Sequence, residues 1–269
     1  MNVDTWHSQK KSIADGFSRA ALRYDKAARV QQQTGQQLLQ YIKQVIDSTS
    51  IEVVADIGCG TGYFTQDLVR YCQPQQYLGI DISRGMLDVA AVNNSMLDNI
   101  TWLCEDVENL QISDQLVSLI YANFSLQWCE NLSELMCHFY RVLTPGGYVC
   151  FTSLGPNTLY ELRDAWCYVD QQKHVNSFYH RDIWQQAITD RQLSIIHHQK
   201  HTIVDYFDSV KSALYSIKDV GANTVKGKQR RSLMGKRSFK CFIRAYETFR
   251  RPQGIPMTYD IDTWIIQKS

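Results

Sequence analysis

The sequence has no long hydrophobic run. No stretch approaches the roughly 18 consecutive apolar residues that a transmembrane helix needs. The N-terminal residues also lack the apolar core of a secretory signal. We therefore expect no membrane span and a cytoplasmic location. Apolar residues still make up 44% of the 269 residues, which is too many for a disordered chain and enough to fold one α/β domain.

Paired cysteines are missing as well. The chain has eight cysteines but no CxxC pair. A zinc site needs thiolates or imidazoles grouped on short turns. The two adjacent histidines, His197 and His198, would point to opposite faces of a strand. We expect no metal site, and we expect free cysteines that are mostly buried as small apolar residues.

The whole chain carries almost no net charge, but the charge is unevenly distributed along the sequence. The formal charge is +1, whereas residues 226–251, called the basic segment below, hold ten basic residues and one acidic residue. Such a segment suggests an acidic partner. Its basic residues are Lys226, Lys228, Arg230, Arg231, Lys236, Arg237, Lys240, Arg244, Arg250 and Arg251.

Short apolar strands alternate with helices over the first half of the chain. This alternation predicts a doubly wound parallel sheet with helices on both faces. Strands are expected at 51–57, 77–82, 100–104, 116–123 and 148–154, with a turn at 145–147, and a strand-rich stretch and a final strand at 193–204 and 257–267. Helices are expected at 16–46, 63–71, 84–93, from 123 through 143, and at 157–169, 181–187, 210–220 and 232–249.

A glycine loop follows the first strand. Its glycines, Gly58, Gly60 and Gly62, are spaced G-x-G-x-G, and Tyr63 occupies the position of the third glycine in a dinucleotide-binding GxGxxG fingerprint. Asp56 precedes the loop, where an acid is a poor neighbour for a pyrophosphate but suits a cationic amino group. No GK[ST] follows, so the loop is not a P-loop.

Two further acids stand at the ends of the next two strands. Asp81 can accept two hydrogen bonds from a ribose diol, and Asp106 can accept one from an adenine amino group with Val107 beside it. All three acids fall at carboxyl ends of parallel strands, where open α/β sheets bind ligands.

This arrangement resembles the class I S-adenosylmethionine-dependent methyltransferases. The resemblance implies an α/β Rossmann-like fold with a seven-stranded, mostly parallel sheet, an antiparallel last strand and a helical cap. It also implies S-adenosylmethionine as cofactor and S-adenosylhomocysteine as product. The implied cofactor-binding residues are Asp56, Gly58, Gly60, Gly62, Asp81, Ile82, Met86, Asp106, Val107 and Asn123.

The segment after the fourth strand indicates which kind of group is methylated. Residues 123–129 read NFSLQWC and lack the prolines of enzymes that methylate nucleic-acid amino groups. With the stretches FSRAALRYD at 17–25, VQ at 30–31, FY at 178–179, SIKDVGA at 216–222 and MTY at 257–259, the chain resembles the malonyl-[acyl-carrier protein] O-methyltransferases of biotin synthesis. Asn223 and the strength of the basic segment depart from that pattern.

The resemblance implies methyl transfer to the free carboxylate of a malonyl thioester on acyl-carrier protein. A carboxylate is ionised at pH 7, so the reaction needs alignment rather than a general base. Tyr24 is expected over the methyl group, Phe178, Gln127 and Trp128 in the pocket wall, and Lys218 and Arg181 near the carboxylate or the prosthetic phosphate.

Several alternatives stay open. Malonyl-CoA carries the same phosphopantetheine arm as the carrier protein. A free small acid such as trans-aconitate would share the Gln-Trp pair, and the basic segment could instead grip RNA phosphates. We expect one domain, with a core of about 37–155, 181–206 and 257–269 and a cap of about 1–36, 156–180 and 207–256.

Overall fold

A seven-stranded sheet forms the centre of the computed structural model, which describes residues 3–170, 172–222, 224–225 and 235–269. The strand order is β3-β2-β1-β4-β5-β7-β6, and β7 runs antiparallel to both of its neighbours while β1 to β5 pair in parallel. This confirms the predicted fold class. The strands are β1 (Val53–Ile57), β2 (Gln76–Asp81), β3 (Ile100–Cys104), β4 (Val117–Ala122), β5 (Leu143–Leu154), β6 (Leu193–Phe207) and β7 (Ile255–Lys268).

Helices cover both faces of this sheet because its central strands are apolar on both sides. Every residue of β1 and β4 is buried, as expected for parallel strands that are sandwiched between helices. The edge strand β6 instead alternates between more and less exposed residues. The helices are α1 (Val3–Ala27), α2 (Arg29–Val45), α3 (Thr65–Cys72), α4 (Arg84–Asn93), α5 (Leu132–Val142), α6 (Tyr160–Cys167), α7 (Arg181–Thr189), α8 (Val210–Asp219) and α9 (Lys236–Glu247).

Two hydrophobic clusters hold the helices to the sheet. On one face, Leu38 and Ile42 of α2 pack with Leu68 of α3 against Tyr121. On the other face, α5 and α7 pack through residues such as Phe139. In β1 and β4, neighbouring residues such as Val53 and Val54 join opposite clusters, as the two-residue period of a strand requires.

The first helical stretch differs from the prediction. A single helix was expected over 16–46, but two helices meet at Ala28, whose ψ of 40° interrupts the helical backbone, and α1 begins at Val3. The helix α1 contacts α4 and α8, and the Ser18 hydroxyl lies 2.8 Å from the Ser83 hydroxyl. This places α1 across the carboxyl end of the sheet.

Strand β5 also begins earlier than predicted. It starts at Leu143 and includes the residues that were expected to form a turn at 145–147. The glycine at the centre of that stretch, Gly146, has a φ of +76°.

Helices α6, α8 and α9 form a third hydrophobic cluster with the beginning of β7. Phe242 and Tyr246 of α9 are fully buried there, next to Leu162 of α6 and Met257 of β7. No helix in the described part of the chain is both long and apolar enough to cross a membrane.

The opposite face of α9 is exposed and positively charged. It carries the exposed residues Lys236, Arg237, Lys240 and Arg244. None of these four forms an ion pair with an acid among the residues that the structure describes. Asn223 and four cations of the basic segment lie outside the described residues; those cations are Lys226, Lys228, Arg230 and Arg231.

Candidate active site

Three adjoining cavities open at the carboxyl end of the sheet, between the strand ends, α1 and the helices of the third cluster. The first has a volume of about 100 Å³, the second about 40 Å³ and the third about 280 Å³. The first and second share the walls formed by Tyr24, Gly58, Gly60 and Asn123. The following cofactor-site candidates line one or both of these two cavities: Asp56, Gly58, Gly60, Asp81, Ile82, Met86, Asp106, Val107 and Asn123.

The glycine loop brings the backbone into the wall of the first two cavities. Gly58 has a φ of +68° and a Cβ there would lie 2.3 Å from the Ser125 Cβ, so a larger residue is excluded. Gly60 has a φ of +56° and faces open space. The third predicted glycine, Gly62, lines neither cavity. It packs against Ala90 of α4 and against Asn94, which directly follows that helix.

Asp56 lies deep beneath the glycine loop. It is 3% exposed and accepts a hydrogen bond of 2.7 Å from the Tyr77 hydroxyl. Burial raises the pKa of its carboxyl to about 7, because a low-dielectric surrounding disfavours the charged form. A cationic group bound in the second cavity would stabilise the ionised form of this acid.

Asp81 connects the glycine loop to the beginning of α4. One carboxylate oxygen accepts from the Gly60 N–H at 3.0 Å and the other from the Ser83 N–H at 2.7 Å. Burial nevertheless raises the pKa of Asp81 to about 6. Because each carboxylate oxygen has two lone pairs, both oxygens retain capacity for a hydrogen bond from a ligand in the first cavity.

Asp106 is paired with a residue that the sequence analysis did not single out. The ammonium group of Lys10 in α1 contacts the Asp106 carboxylate and lies 2.8 Å from Glu108. Burial lowers the pKa of Lys10, but the hydrogen bonds to these two acids outweigh it and raise the pKa above its ordinary value. Lys10 therefore stays charged and fastens α1 over the first cavity.

Tyr24 forms a wall common to the first and second cavities. Desolvation and the nearby carboxylates of Asp81 and Asp25 raise the pKa of its hydroxyl far above the usual value. Tyr24 thus keeps its proton at neutral pH and can donate a hydrogen bond. Its ring lies 6.4 Å from that of Phe17 on the same helix.

The segment after β4 separates the first cavity from the third. Phe124 has a φ of +52°, a conformation that costs a residue with a side chain about 1–3 kcal/mol. Its N–H donates to the Thr152 hydroxyl at 3.0 Å, and that hydroxyl donates to the Asn123 side chain at 2.9 Å. Phe124 and Trp128 line both cavities, so the two spaces meet at these aromatic rings.

The third cavity is lined mainly by apolar side chains, and several of them belong to the third cluster. Phe178 and Gln127, both predicted pocket residues, contribute to its wall. Two predicted charged residues lie elsewhere. Lys218 is exposed on α8, and Arg181 is exposed at the start of α7 with Asp182 at 3.4 Å; neither lines any of the three cavities.

One face of α1 supplies several wall residues that were not predicted. Lys10, Ile13 and Phe17 line the first cavity together with Tyr24. Their spacing of three, four and seven residues is the period of a helix face. Asp25 accepts a 2.6 Å hydrogen bond from Thr61 of the glycine loop. The period was visible in the sequence, but nothing local indicated that this face would meet the strand ends.

The arrangement fits S-adenosylmethionine better than a dinucleotide. The three acids that line the first two cavities, Asp56, Asp81 and Asp106, would repel a pyrophosphate and would attract a cation. The open face of Gly60 leaves room for a ligand against the backbone. The residues present therefore fit a ligand that has an ammonium group, a sulfonium and a ribose diol.

Comparisons with known proteins support this assignment. The family profile described as "Methyltransferase domain" matches residues 55–151. In structure, the chain is similar to a Bacillus halodurans protein proposed to be a methyltransferase, with a TM-score of 0.61, 12% identity and coverage of 86% of this chain and 98% of the other. It is also similar to geranyl diphosphate C-methyltransferase from Streptomyces coelicolor, solved with S-adenosyl-L-homocysteine, with a TM-score of 0.52, 14% identity and coverage of 86% and 75%.

Curated relatives match the chain from end to end. The Biotin biosynthesis bifunctional protein BioHC of Cellvibrio japonicus is 35% identical over 94% of this chain, which spans about half (49%) of that longer protein. The Malonyl-[acyl-carrier protein] O-methyltransferases of a Marinomonas species and of Yersinia pestis are 32% and 33% identical, over 97% and 100% of this chain and 95% and 93% of their own length. The chain belongs to the malonyl-[acyl-carrier protein] O-methyltransferase family.

Proposed function

We propose that this protein transfers a methyl group from S-adenosylmethionine to the free carboxylate of a malonyl thioester on acyl-carrier protein, giving the malonyl methyl ester used in biotin synthesis. The observation that carries the proposal is the meeting of an acid-lined cavity and an apolar cavity at Phe124 and Trp128. At such a junction, a cationic methyl donor in one cavity can face an acyl substrate in the other, with water excluded between them.

The first two cavities would hold the cofactor. Asp81 would accept from the ribose diol, Asp106 from the adenine amino group, and Asp56 from the methionine ammonium group; all three line these cavities. When bound, S-adenosylmethionine supplies an electrophilic methyl group on a sulfonium, whose sulfur keeps the bonding electron pair when a nucleophile takes the methyl. Ile82, Met86 and Val107 supply apolar contacts around the base.

The third cavity would hold the malonyl thioester. Its volume of about 280 Å³ lies near the lower end of ordinary ligand cavities, about 300–1,000 Å³. Because the carboxylate is already ionised at neutral pH, the residues need only to orient it and exclude water. Tyr24 serves as a hydrogen-bond donor at the methyl group, and Phe178 and Gln127 serve as walls that fix the acyl end. Alignment of this kind contributes roughly 7–11 kcal/mol in favourable cases.

The exposed face of α9 would dock the carrier protein. It carries four positive charges without acidic partners in the described chain, on Lys236, Arg237, Lys240 and Arg244. Acyl-carrier proteins are acidic, and complementary charge speeds and orients association. The same helix packs through Phe242 against the cluster that borders the third cavity, so a carrier seated on it would have its prosthetic arm near that cavity.

Methyl transfer from labelled S-adenosylmethionine tests the proposal. Malonyl-carrier protein, malonyl-CoA, trans-aconitate and total RNA would be offered separately at equal concentration. We expect the highest kcat/KM for malonyl-carrier protein and a product that releases methanol on mild alkaline hydrolysis. Preference for trans-aconitate or RNA, or equal use of carrier-bound and CoA-bound malonyl groups, would contradict the proposed substrate.

A further inference from the structure

A buried hydrogen-bond donor lies unused at the boundary between the first and third cavities. The indole N–H of Trp128 has no surface exposure and no acceptor within the described residues. Leaving such a donor unpaired costs roughly 1–3 kcal/mol. Trp128 lines both cavities, so a small turn of the ring could bring its N–H to a ligand that spans the boundary, and that ligand could supply the missing acceptor.

Neighbouring groups restrict the position of Trp128. It ends a 3₁₀ turn, Leu126–Trp128, in which its own N–H donates to the Ser125 carbonyl at 3.2 Å. The Phe17 ring packs edge-to-face on the indole with 5.8 Å between centroids. The turn and the Phe17 contact limit the orientations that the indole can adopt, and this is what a positioning residue requires.

Several other polar groups of the third cavity already have partners. His174 pairs with Asp170 at 2.8 Å, and the Asn176 side chain donates to the Thr224 carbonyl at 3.0 Å. Among the described residues that line this cavity there is no lysine or arginine. Among the described lining residues, a carboxylate that enters the cavity therefore meets neutral donors only.

A neutral donor also suits the reaction better than a cation. The carboxylate loses its negative charge as the ester forms, so an ion pair would stabilise the bound substrate more than the transition state. A hydrogen bond from an indole N–H orients the carboxylate at a smaller ground-state cost. It also leaves the product ester free to depart.

We infer that the Trp128 indole N–H donates a hydrogen bond to one oxygen of the substrate carboxylate and so turns the other oxygen toward the methyl group. This inference rests on the proposed function and adds the residue that distinguishes the free acid from its ester.

Trp128→Phe removes the N–H and keeps an aromatic ring. Trp184→Phe is the matched control, because the Trp184 N–H is also buried without an acceptor in the described chain but lies in the core beside Phe151, away from the three cavities. Proteins saturated with S-adenosylhomocysteine would be titrated with malonyl-pantetheine and with its methyl ester. We expect Trp128→Phe to weaken binding of the acid by about ten- to a hundredfold, to leave ester binding within threefold, and to leave S-adenosylhomocysteine affinity unchanged.

A direct readout uses the ¹⁵N-labelled indole groups of the six tryptophans. The Trp128 signal is assigned by its absence from Trp128→Phe, or by triple-resonance methods if that variant does not fold. We expect its proton to shift downfield with malonyl-pantetheine and much less with the ester. Equal shifts with both ligands, or no shift with the acid, would overturn the inference.

These outcomes separate the inference from the proposed function. If the wild-type protein methylates malonyl-carrier protein and Trp128→Phe does so with an unchanged kcat/KM, only the role of Trp128 fails. If the wild-type protein does not methylate it, the proposed function fails, and the indole titration still decides whether Trp128 binds a carboxylate.

Discussion

Replacing Asp81 by asparagine tests how the cofactor's ribose is held. In the free protein both carboxylate oxygens accept from backbone N–H groups, one from Gly60 and one from Ser83. Asparagine has a single acceptor oxygen, so no rotamer can satisfy both donors. Asp81→Asn therefore disturbs either the glycine loop or the start of α4, besides removing the charge that would face the ribose.

The expected loss follows from counting hydrogen bonds. Two bonds from the diol to an ionised carboxylate contribute about 1.5–3 kcal/mol each, and an amide oxygen can replace one of them at about 1 kcal/mol. The net loss is about 2–5 kcal/mol, which weakens binding roughly 30- to 5,000-fold. Titration calorimetry with S-adenosylhomocysteine measures it directly.

Two controls make the test specific. Asp88→Asn removes a carboxylate from the same helix region, where Asp88 is exposed and pairs with Arg84 at 3.1 Å, and should leave affinity unchanged. The 2′-deoxy analogue of S-adenosylhomocysteine should bind more weakly to the wild type but lose little further affinity in Asp81→Asn. Affinity of Asp81→Asn within threefold of the wild type, or an equal penalty for the analogue in both proteins, would refute the ribose assignment.

The raised pKa of Asp81 adds a pH signature. Its ionised form would accept from the ribose, and its pKa is about 6 in the free protein, so affinity should be about tenfold lower at pH 5 than above pH 7. Because the folded-state pKa exceeds the ordinary 3.8, the native state binds more protons than the unfolded state, and Asp81 reduces stability as pH rises from about 4 to 6. Asp81→Asn should flatten the pH dependence of both cofactor affinity and stability near pH 6. If the variant keeps the wild-type pH dependence, another group is responsible for it.

Two other changes probe the substrate side. Tyr24→Phe should lower kcat at least tenfold with unchanged melting temperature, since it removes a donor that burial keeps protonated; equal losses of turnover and stability would make Tyr24 a packing residue. Reversing Lys236, Arg237 and Lys240 to Glu should raise KM for malonyl-carrier protein severalfold at low salt without changing cofactor affinity, whereas Lys43→Glu, exposed on α2, should not. A KM that responds to neither charge reversal nor salt would exclude α9 as the docking surface.

The cofactor half of the site could be predicted because its signals are local. Each acid follows its own strand, and the parallel register sets Ile57 of β1 beside Ile80 of β2, so Gly58 falls next to Asp81. Once the strands are recognised, the geometry of a parallel sheet brings their carboxyl ends, and the acids that follow them, to the same edge. Gly62 is the instructive exception. It is part of the same motif, but its positive φ serves the packing of α4 rather than the cavity wall.

The substrate half could not be predicted in the same way, because distant segments build it. The third cavity joins Gln31, Phe124, Phe178 and Ile217, which lie in four separate parts of the chain. Helix α1 presents the same difficulty, since its Lys10 reaches Asp106 across 96 positions of sequence. Sequence periodicity shows which face of a helix is apolar, but not which distant element covers it.

The near-zero net charge of the chain conceals an ordered arrangement of charge along the proposed reaction path. Carboxylates line the first two cavities, where the cationic cofactor would bind, and the cations of α9 lie outside, where the acidic carrier would approach. Between them lies a cavity without lysine or arginine among its described lining residues. A substrate anion drawn in by α9 would therefore meet the sulfonium as its counter-charge, because Lys10, which lines the first cavity, is already paired with Asp106 and Glu108. In a low-dielectric cavity that attraction is strengthened, so the wall at Trp128 has only to orient the carboxylate, not to hold it.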